Sequence, residues 1–360
     1  MENYKGIIDN KGVFVIAELG VNYYDIAEKR NISLLESAKL MIRKAKEGGA
    51  DAVKFQSYKA ERLASIDSPA YWDTNEEHIN SQYELFKKFD KFEKIEYKKL
   101  SNYCRDQKIL FLSTPFDFDA VEYLNDLVPI FKISSSDITN LPLIKRIAKK
   151  KKPIFLSTGA ATIGEIEDAI RVINSKGNNE ICIMHCILSY PTDYNDVNLN
   201  MIKHLKKVFP SYQIGYSDHA KPDLSMLITT TAYILGAKVI EKHFTLDKTL
   251  EGNDHYHAMD LNDLKKLCEN IQLINKIKGR FHKKPLKCEK NSRKYARRSI
   301  VINEDIKKGE IITSEKISFK RPGTGIPPTR INEIIGGKAL VDLKKDELLE
   351  YNKIQLRSIN

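Results

Sequence analysis

The chain has 360 residues, of which 42% are hydrophobic and 30% are charged. This balance is typical of globular proteins, and the length suits one large unit plus a small one better than three equal parts. The longest apolar stretches, such as 181–188, are far too short to span a bilayer, and we expect no secretory signal and no membrane partner. Five cysteines without a CxxC pair argue against a disulfide scaffold and indicate a cytoplasmic location.

The positive charge is concentrated in one segment. The formal net charge is +11, and residues 276–298 hold eleven Lys and Arg residues against one acid, Glu289. Such a run is typical of a solvated connector between domains, and proximity to an anionic ligand is the alternative. Nucleic-acid binding requires a basic face with aromatic or groove-reading elements, whereas only the charge run stands here. We therefore expect no nucleic-acid partner.

Short apolar runs alternate with helical patterns along most of the chain. The runs predict eight strands at 13–17, 52–55, 109–113, 130–134, 153–157, 181–186, 213–216 and 238–242. The helical patterns lie at 34–47, 94–107, 119–125, 143–150, 163–174, 199–207, 223–235 and 261–276. Ser33 and Glu36 predict a capping box before the first of these helices. Eight strand–helix units predict a closed (β/α)8 TIM barrel, because the alternative, a doubly wound open sheet, usually has fewer strands and a glycine-rich phosphate turn.

Two segments interrupt this alternation. Residues 6–12 are interpreted as a small hairpin that closes the bottom of the barrel. Residues 57–91 form a long insertion rich in aromatic residues. Loops of this length are often lids or binding loops, and a surface elaboration is the alternative.

The last part of the chain has a different pattern. Short strands at 299–302 and 310–313 and a loop rich in Pro and Gly from Arg321 predict a small β-rich domain. The predicted division is a barrel at 1–280, a basic linker at 281–297 and the small domain at 298–360.

A polar residue capable of chemistry lies at the carboxyl end of each predicted strand. In chain order these residues are Glu18; Lys54 and Gln56; Ser113 and Thr114; Lys132, Ser134 and Ser135; Ser157 and Thr158; His185 and Tyr190; Ser217 and His219; and Glu241 and His243. A single polar residue of this kind is more often a solvated charge at the rim of the barrel, but such a residue at every strand is difficult to explain as solvated surface charge alone. Active sites of TIM barrels lie at the carboxyl ends of the strands. The sequence therefore predicts an active site at the barrel mouth.

The mouth is predicted to bind an anion. Lys54 and Lys132 lie at the ends of apolar strands, where burying a cation is costly without an anionic partner. Together with the neighbouring hydroxyl groups they would form a cradle for a phosphate or a carboxylate. The alternative is that Lys54 pairs with Glu18 or Glu241 and only orders the mouth.

A divalent metal ion is the second predicted ligand. His219 and His243 follow the seventh and eighth strands, and two imidazoles near acids such as Glu18 and Asp254 suit such an ion with open coordination positions. A pair of satisfied core histidines is the alternative. The next residues, 255–257, are interpreted as substrate contacts or surface loop rather than as metal ligands.

Several motifs resemble those of the sialic acid synthase family. They are VIAELGVN, VKFQ, LSTPFD, FKISSSDI, LSTGA, GYSDH and GAKVIEKHFTLD, followed by RRSIV, KKGE and KRPGTG. The resemblance covers the chain from about Val13 to Asp346. It implies a TIM barrel followed by a small antifreeze-like (SAF) domain. It also implies a domain-swapped homodimer, in which the small domain of one chain reaches over its partner's barrel mouth.

The resemblance implies a nonulosonic acid synthase, which condenses phosphoenolpyruvate with an N-acylated hexosamine and water and releases phosphate. The positions implied for phosphoenolpyruvate are Lys54, Thr114, Lys132, Ser135, Ser157 and Ser217. Those implied for the sugar are Glu18, which would orient or deprotonate a water or a hydroxyl, and Gln56, Tyr190 and Asp254. His219 and His243 match histidines that hold manganese or magnesium. Arg321 of the partner's small domain would face the acyl group of the sugar.

Two segments depart from the family pattern. Leu188 stands where many members have a small polar residue, so a substrate contact must come from elsewhere, such as Ser189. The acceptor region GNDHYHAMD, at 252–260, differs from that of plain N-acetylneuraminate synthases. The acceptor sugar therefore stays open between N-acetylmannosamine and a diacetylated dideoxy hexose.

Two other functions stay open. One is a related barrel synthase that makes a 3-deoxy-octulosonate or heptulosonate from a phosphorylated acceptor. The other is a non-catalytic saccharide-binding relative. Retention of Lys54, Lys132 and the two histidines favours an enzyme over the second alternative.

Overall fold

The computed structural model describes residues 4–252 and 254–356. The chain divides into two compact units, one that ends at Gly279 and one that begins at Arg280. Within the described ranges, no helix combines the length and the apolarity that a membrane crossing requires.

Eight parallel strands form the centre of the first unit. They are β1 (Phe14–Gly20), β2 (Ala52–Ser57), β3 (Leu110–Pro115), β4 (Phe131–Ile133), β5 (Ile154–Ser157), β6 (Ile181–Cys186), β7 (Gln213–Asp218) and β8 (Val239–His243). Their order around the sheet is β3-β2-β1-β8-β7-β6-β5-β4, and the end strands β3 and β4 lie next to each other. The sheet therefore closes into a ring, which confirms the predicted barrel.

Helices surround this ring. They are α1 (Tyr4–Lys11), α2 (Tyr23–Arg30), α3 (Leu34–Gly48), α4 (Ala60–Leu63), α5 (Gln82–Lys88), α6 (Lys94–Asp106), α7 (Phe118–Leu124), α8 (Leu141–Ala148), α9 (Ile163–Asn174), α10 (Asn200–Val208), α11 (Leu227–Ile234) and α12 (Leu261–Ile277). The predicted capping box of α3 is present, because Ser33 Oγ accepts from the Glu36 amide and the Glu36 carboxylate accepts from the Ser33 amide.

The bottom of the barrel is closed by α1, so the predicted hairpin at 6–12 is wrong. Tyr4 and Ile8 lie one helical turn apart, and both are buried. The ring of Tyr4 packs edge-on at 5.3 Å from Phe155 and at 6.2 Å from Phe14, both inside the barrel. This apolar contact stabilises a helix in a segment whose glycines had indicated a turn.

Side chains along each barrel strand alternate between two layers. In β1, Val15 and Leu19 pack outward with the surrounding helices, whereas Phe14 and Ile16 belong to the cluster inside the ring. The next inward position is Glu18, at the mouth. Apolar side chains therefore fill the lower barrel, and polar side chains follow them at the carboxyl ends of the strands.

The insertion between β2 and α6 has its own small core. Val21, Tyr58, Leu85 and Phe89 form an apolar cluster, against which Trp72 packs. The indole of Trp72 donates a 3.1 Å hydrogen bond to the backbone oxygen within the same segment, at Ile79. The insertion is therefore a folded part of the first unit.

The second unit is small and rich in short strands. Its elements are α13 (Lys290–Tyr295), β9 (Ser299–Ile302), β10 (Ile317–Lys320), α14 (Ile331–Ile334), β11 (Lys338–Ala339) and β12 (Ile354–Gln355). β9 pairs with β10 and β11 with β12, both antiparallel, over a core built mostly of isoleucine and leucine. The predicted strand at 310–313 is wrong, because only Ile311 forms an isolated bridge there, with Lys338.

Candidate active site

Lys54 is the centre of a buried polar cluster at the barrel mouth. Its Nζ lies 2.7 Å from Glu18 Oε2 and donates a 2.9 Å hydrogen bond to Thr114 Oγ1. Gln56, farther along the same strand, donates from Nε2 to Glu18 Oε1 at 3.3 Å. Lys54 is 4% exposed and Glu18 is 1% exposed. Strands β1, β2 and β3 thus bring a cation, a carboxylate and a hydroxyl group together.

Glu241 connects this cluster to the opposite side of the ring. Its Oε1 lies 3.1 Å from Lys132 Nζ and 3.8 Å from Lys54 Nζ, and it accepts a 3.1 Å hydrogen bond from Ser217. The pairing of Lys54 with both carboxylates, expected as the alternative to an anion cradle, is therefore present. The same pairing brings both lysines to one cavity.

The charges of this cluster depend strongly on burial. Burial raises the pKa of Glu18 above its usual range, and the negative charge of Glu241 raises it further against the effect of Lys54. Burial alone would also raise the pKa of Glu241, but the ammonium groups of Lys132 and Lys54 lower it to about 2. Burial opposes the charge of Lys54, yet the two carboxylates raise its pKa. Glu18 is therefore the carboxylate that takes up a proton most readily.

Two further predicted substrate contacts lie near β4 and β5. Ser135 accepts a 2.9 Å hydrogen bond from the Gly159 amide. Ser157 is 1% exposed, and its hydroxyl group has no hydrogen-bond partner among the residues that the structure describes. Because a buried polar group without a partner costs free energy, a ligand that bonds to Ser157 would recover that cost.

Gly20 leaves space between three of the predicted sugar contacts. Its φ is +50°, and a Cβ atom there would lie 3.3 Å from both Asp254 Oδ2 and Gln56 Nε2 and 3.5 Å from Glu18 Oε1. The register between β1 and β2 shifts between Glu18 and Gly20, so the chain is irregular at this point. Glycine is the residue that fits both this backbone conformation and this space.

His243, Asp254 and His257 form a compact group above the strands. Asp254 Oδ2 lies 3.2 Å from His243 Nδ1, and Asp254 Oδ1 lies 3.6 Å from His257 Nε2. One ligand atom from each residue lies within 4.8 Å of the other two. Sequence analysis did not assign His257 to a metal site, because it stands in a loop without a regular period that would give its direction.

The three members of this group have different charges. Burial opposes the protonation of His243, but Asp254 and Glu18 raise its pKa. Burial would raise the pKa of Asp254, but the neighbouring imidazoles lower it below the usual range. Burial lowers the pKa of His257 well below its usual value, and the charge of His243 adds to this effect. His257 is therefore a neutral imidazole, which is the form that binds metal ions.

His219, the other predicted metal ligand, lies beside this group. Its Nδ1 donates a 2.7 Å hydrogen bond to the Ile187 backbone oxygen, which leaves Nε2 as the nitrogen that can accept. The ring of His219 lies 5.6 Å from that of His243 and 4.1 Å from that of Tyr190. Cys186 Sγ lies 3.7 Å from the same Nδ1, a contact that sequence analysis did not predict.

The residues fit the divalent cation that the family resemblance implies. Two imidazoles and one carboxylate offer the nitrogen and oxygen donors that such ions use. Both ring nitrogens of His257 are buried and without a hydrogen bond among the described residues. Buried nitrogens of this kind are expected where an ion completes the contacts.

A pocket opens next to these residues. The barrel contributes Gln56, Tyr190, His243, Asp254 and Tyr256, and the insertion contributes Tyr71, Trp72, Glu77, Leu85 and Phe86. Aromatic walls with a few polar groups are typical of sites for small organic ligands. The insertion therefore lines a pocket, as a lid or binding loop would, and its role in binding stays a prediction.

Two predicted mouth residues point elsewhere. Ser113 follows the inward residue Leu112 in β3, and its Oγ lies 2.7 Å from Ser57 Oγ. His185 stacks on Tyr216 at 5.5 Å between ring centroids, and its Nε2 lies 3.0 Å from the Val197 backbone oxygen. In β6 the inward residues are Cys182 and Met184, so His185 has the outward parity. Its assignment to the mouth is wrong, and it is a core histidine with a satisfied ring.

Two other predicted contacts stay predictions. Ser189, suggested as a substitute for the contact that Leu188 cannot make, donates a 3.2 Å hydrogen bond to the Pro191 backbone oxygen. Arg321 is exposed in the second unit. Its proposed position over a partner's barrel mouth is a matter for experiment.

The fold and the mouth define a class: a TIM-barrel protein with a buried lysine–carboxylate cluster, a group suited to a metal ion and a small β-rich C-terminal unit. The chain belongs to the NeuB family, which it matches over residues 41–283, and residues 297–355 match the SAF domain. It is thus a biosynthetic enzyme of the sialic acid and nonulosonic acid synthase family, as the motifs predicted.

Three relatives illustrate this similarity. The chain is 41% identical to the N,N'-diacetyllegionaminic acid synthase of Campylobacter jejuni, with 94% of this chain and 99% of that protein covered. It is 33% identical to the N-acetylneuraminate-9-phosphate synthase of Homo sapiens, with coverage of 93% and 91%. The crystal structure of the N-acetylneuraminic acid synthetase of Leptospira borgpetersenii in complex with citrate superposes with a TM-score of 0.66 at 33% identity, with coverage of 78% and 90%.

Proposed function

We propose that this chain condenses phosphoenolpyruvate with an N-acylated hexosamine and water, and that it releases phosphate and a nonulosonic acid. The observation that carries this proposal is the pair of buried lysines, Lys54 and Lys132, that meet at the barrel mouth beside an aromatic pocket. Two buried ammonium groups next to an aromatic pocket suit one anionic and one sugar substrate.

The lysines form the anion end of the site. Lys54 and Lys132 offer ammonium groups to the phosphate or carboxylate of phosphoenolpyruvate, and Glu18 and Glu241 balance their charge before the anion enters. We assign four hydroxyl groups to the same end of the site, those of Thr114, Ser135, Ser157 and Ser217. Of these, Ser157 has no competing hydrogen bond among the described residues and is the first that we assign to the anion.

Glu18 is the proposed acid–base residue. It lies between the anion end, through Lys54, and the sugar end, through Gln56. Its raised pKa suits a carboxylate that takes up a proton more readily than a solvated one. We assign it the proton of the water or sugar hydroxyl that reacts.

The aromatic pocket is the acceptor end of the site. Gln56, Tyr190 and Asp254 contribute to its wall and would bind the hydroxyl groups of the sugar. The rings of Tyr71 and Trp72 would pack against its acyl groups and its apolar ring face. A divalent cation at His243 and Asp254, with His219 beside them, would supply Lewis-acid polarisation of the sugar aldehyde.

The proposed reaction forms one carbon–carbon bond and breaks one carbon–oxygen bond. Carbon 3 of phosphoenolpyruvate attacks the aldehyde carbon of the open-chain sugar, and positive charge develops at carbon 2. Water adds at carbon 2 and loses a proton, and the tetrahedral intermediate expels phosphate to leave a 2-keto acid. The lysines act as anion partners, and no Schiff base is formed. By fixing both substrates in one cavity, the barrel would lower the activation free energy by on the order of 7 kcal/mol.

We infer that the acceptor is a diacetylated dideoxy hexose rather than N-acetylmannosamine. A second acyl group and two missing hydroxyl groups make such a sugar less polar, which suits a wall of Tyr71, Trp72, Leu85 and Phe86. The Campylobacter jejuni relative, at 41% identity, carries the name of a diacetylated product, which also supports this choice.

We also propose that the protein is located in the cytoplasm, because its five free thiols suit a reducing compartment.

We further propose a domain-swapped homodimer in which Arg321 of one protomer completes the site of the other. The loop that carries Arg321 is exposed, and a guanidinium group can bind the oxygen of an acyl group.

The function is tested by incubating the protein with phosphoenolpyruvate, Mn²⁺ and a panel of aldoses. Phosphate release with a diacetylated dideoxy hexose, and a product mass equal to the sum of both substrates plus water minus phosphoric acid, is the expected result. Release only with phosphorylated aldoses would identify an octulosonate-type or heptulosonate-type synthase instead. Binding of sugars without any phosphate release would identify a saccharide-binding protein.

A further inference from the structure

Two buried histidines in the loop after β8 differ in their contacts. His255 and His257 are both 0% exposed. His255 Nδ1 lies 2.7 Å from Thr245 Oγ1, and its Nε2 lies 3.1 Å from Asp25 Oδ2, so both of its ring nitrogens have partners. Neither nitrogen of His257 has a hydrogen bond among the described residues. Because burying an imidazole without partners is costly, His255 has a structural role and His257 requires a different one.

The donors around His257 converge. Its Nε2 faces Asp254 Oδ1 at 3.6 Å, and the other oxygen of that carboxylate faces His243 Nδ1 at 3.2 Å. Ligand atoms that each lie about 2.1 Å from one ion are separated from one another by roughly 3 to 4 Å. The separations of 3.2 and 3.6 Å, which go to the two oxygens of one carboxylate, lie within this range. Since one ligand atom from each residue lies within 4.8 Å of the other two, a shared ion would require only a small closing movement.

We propose that His257 is a third protein ligand of the divalent cation, together with His243 and Asp254, and that this chain therefore selects an imidazole-preferring transition-metal ion over Mg²⁺. The proposal refines the metal dependence in the proposed function and rests on that function for its catalytic meaning. Mg²⁺ prefers oxygen ligands and retains its water, whereas imidazole suits the later first-row ions. Each imidazole added to the site shifts the preference toward those ions.

A packing role is the alternative for His257. Its ring lies 4.8 Å from the ring of His243, 4.8 Å from Tyr256 and 5.5 Å from Tyr190, so it also fills space in an aromatic environment. A packing role leaves metal affinity independent of the imidazole nitrogens. The two roles are therefore distinguished by metal binding itself, without substrate.

The test uses the metal-free full-length chain and Co²⁺, whose visible absorption reports the ligands of the ion. We expect one Co²⁺ per chain and a dissociation constant that increases about tenfold or more in His257→Ala. His204→Ala is the matched control, because His204 is exposed on α10, and it should bind Co²⁺ as the unchanged chain does. Zn²⁺ should displace Co²⁺, and Mg²⁺ in about hundredfold excess should not.

X-ray absorption of the Co²⁺ complex counts the imidazoles at the ion. Scattering from at least two imidazoles is expected in the unchanged chain; because His219 and His243 alone would also give two, the decisive result is the loss of one imidazole in His257→Ala that folds, as judged by circular dichroism. Unchanged Co²⁺ affinity in folded His257→Ala, scattering from a single imidazole, or displacement of Co²⁺ by Mg²⁺ would each overturn the proposal.

These results separate the metal site from the proposed function. Co²⁺ binding that depends on His257, in a protein that releases no phosphate with any aldose, would sustain the metal site and refute the synthase activity. Phosphate release together with Co²⁺ binding that is unchanged in His257→Ala would sustain the synthase activity and refute the role of His257 at the metal site.

Discussion

Lys132 and Glu241 form an ion pair across the barrel mouth, with 3.1 Å between Nζ and Oε1. Lys132 is on β4 and Glu241 on β8, and three strands separate them in either direction around the ring. Both side chains must extend toward the centre for this contact to form. The pair therefore fixes the centre of the mouth, where the anion is proposed to bind.

Replacement of Lys132 should remove binding of phosphoenolpyruvate. We expect Lys132→Met to lower kcat/KM by about a hundredfold or more, because a buried charged partner of the anion is lost. The measurements are phosphate release and calorimetric binding of phosphoenolpyruvate. Lys238→Met is the matched control, because Lys238 is exposed just before the start of the same β8 strand that carries Glu241, and it should retain full activity.

The same variant leaves Glu241 with only one cation, Lys54, and should lower the free energy of unfolding by roughly 3 kcal/mol. The double variant Lys132→Met/Glu241→Gln should regain part of this stability and remain inactive. Thermal unfolding measures the first effect. Full activity in the double variant would refute the anion cradle.

The acid limb of the pH profile should report Glu18. Its pKa lies above 4.5 because burial disfavours the charged carboxylate. If the deprotonated form is the active base, kcat should decrease as the pH falls through this raised pKa. In Glu18→Gln that limb should disappear and kcat should fall by about 10² or more. Glu167→Gln, at an exposed position on α9, is the control and should keep the profile of the unchanged protein.

Gly20→Ala should disturb the acceptor end of the site. The added methyl group would lie 3.3 Å from Asp254 Oδ2 and Gln56 Nε2, at a φ that also strains an L-residue. We expect a loss of about 1 kcal/mol in stability and a decrease of about tenfold or more in kcat/KM for the sugar. Gly236→Ala separates the two effects, because Gly236 has a φ of +111° and open space around a Cβ. It should lose stability without loss of acceptor kcat/KM.

Mixed dimers should show which protomer supplies Arg321 to a given site. Arg321→Ala and Lys54→Ala chains should each be inactive alone. After subunit exchange, a domain-swapped arrangement gives one intact site in every mixed dimer, so about a quarter of the original activity should return. Exchange that is confirmed by mass spectrometry but restores no activity would indicate a site built from one chain.

The barrel could be predicted from its sequence because each inner strand is a short apolar run, and the position at the carboxyl ends of these runs then placed Lys54, Lys132 and Glu241 at one mouth. His185 shows where this reasoning fails, since a polar residue at a strand end faces the mouth only if its parity is inward. His257 could not be placed, because no periodicity governs an irregular loop. The helix α1 was mistaken for a hairpin, because its stability comes from contacts of Tyr4 with distant residues.

The proposed acceptor pocket draws its two walls from separate stretches of the chain: barrel strands and their loops on one side, and the 57–91 insertion on the other. A graft of this single stretch from a relative would therefore exchange the wall that is proposed to meet the sugar and leave the lysine–carboxylate cluster intact. Such modularity offers a route to engineered synthases with new products, and a means by which one ancestral scaffold can diversify its repertoire.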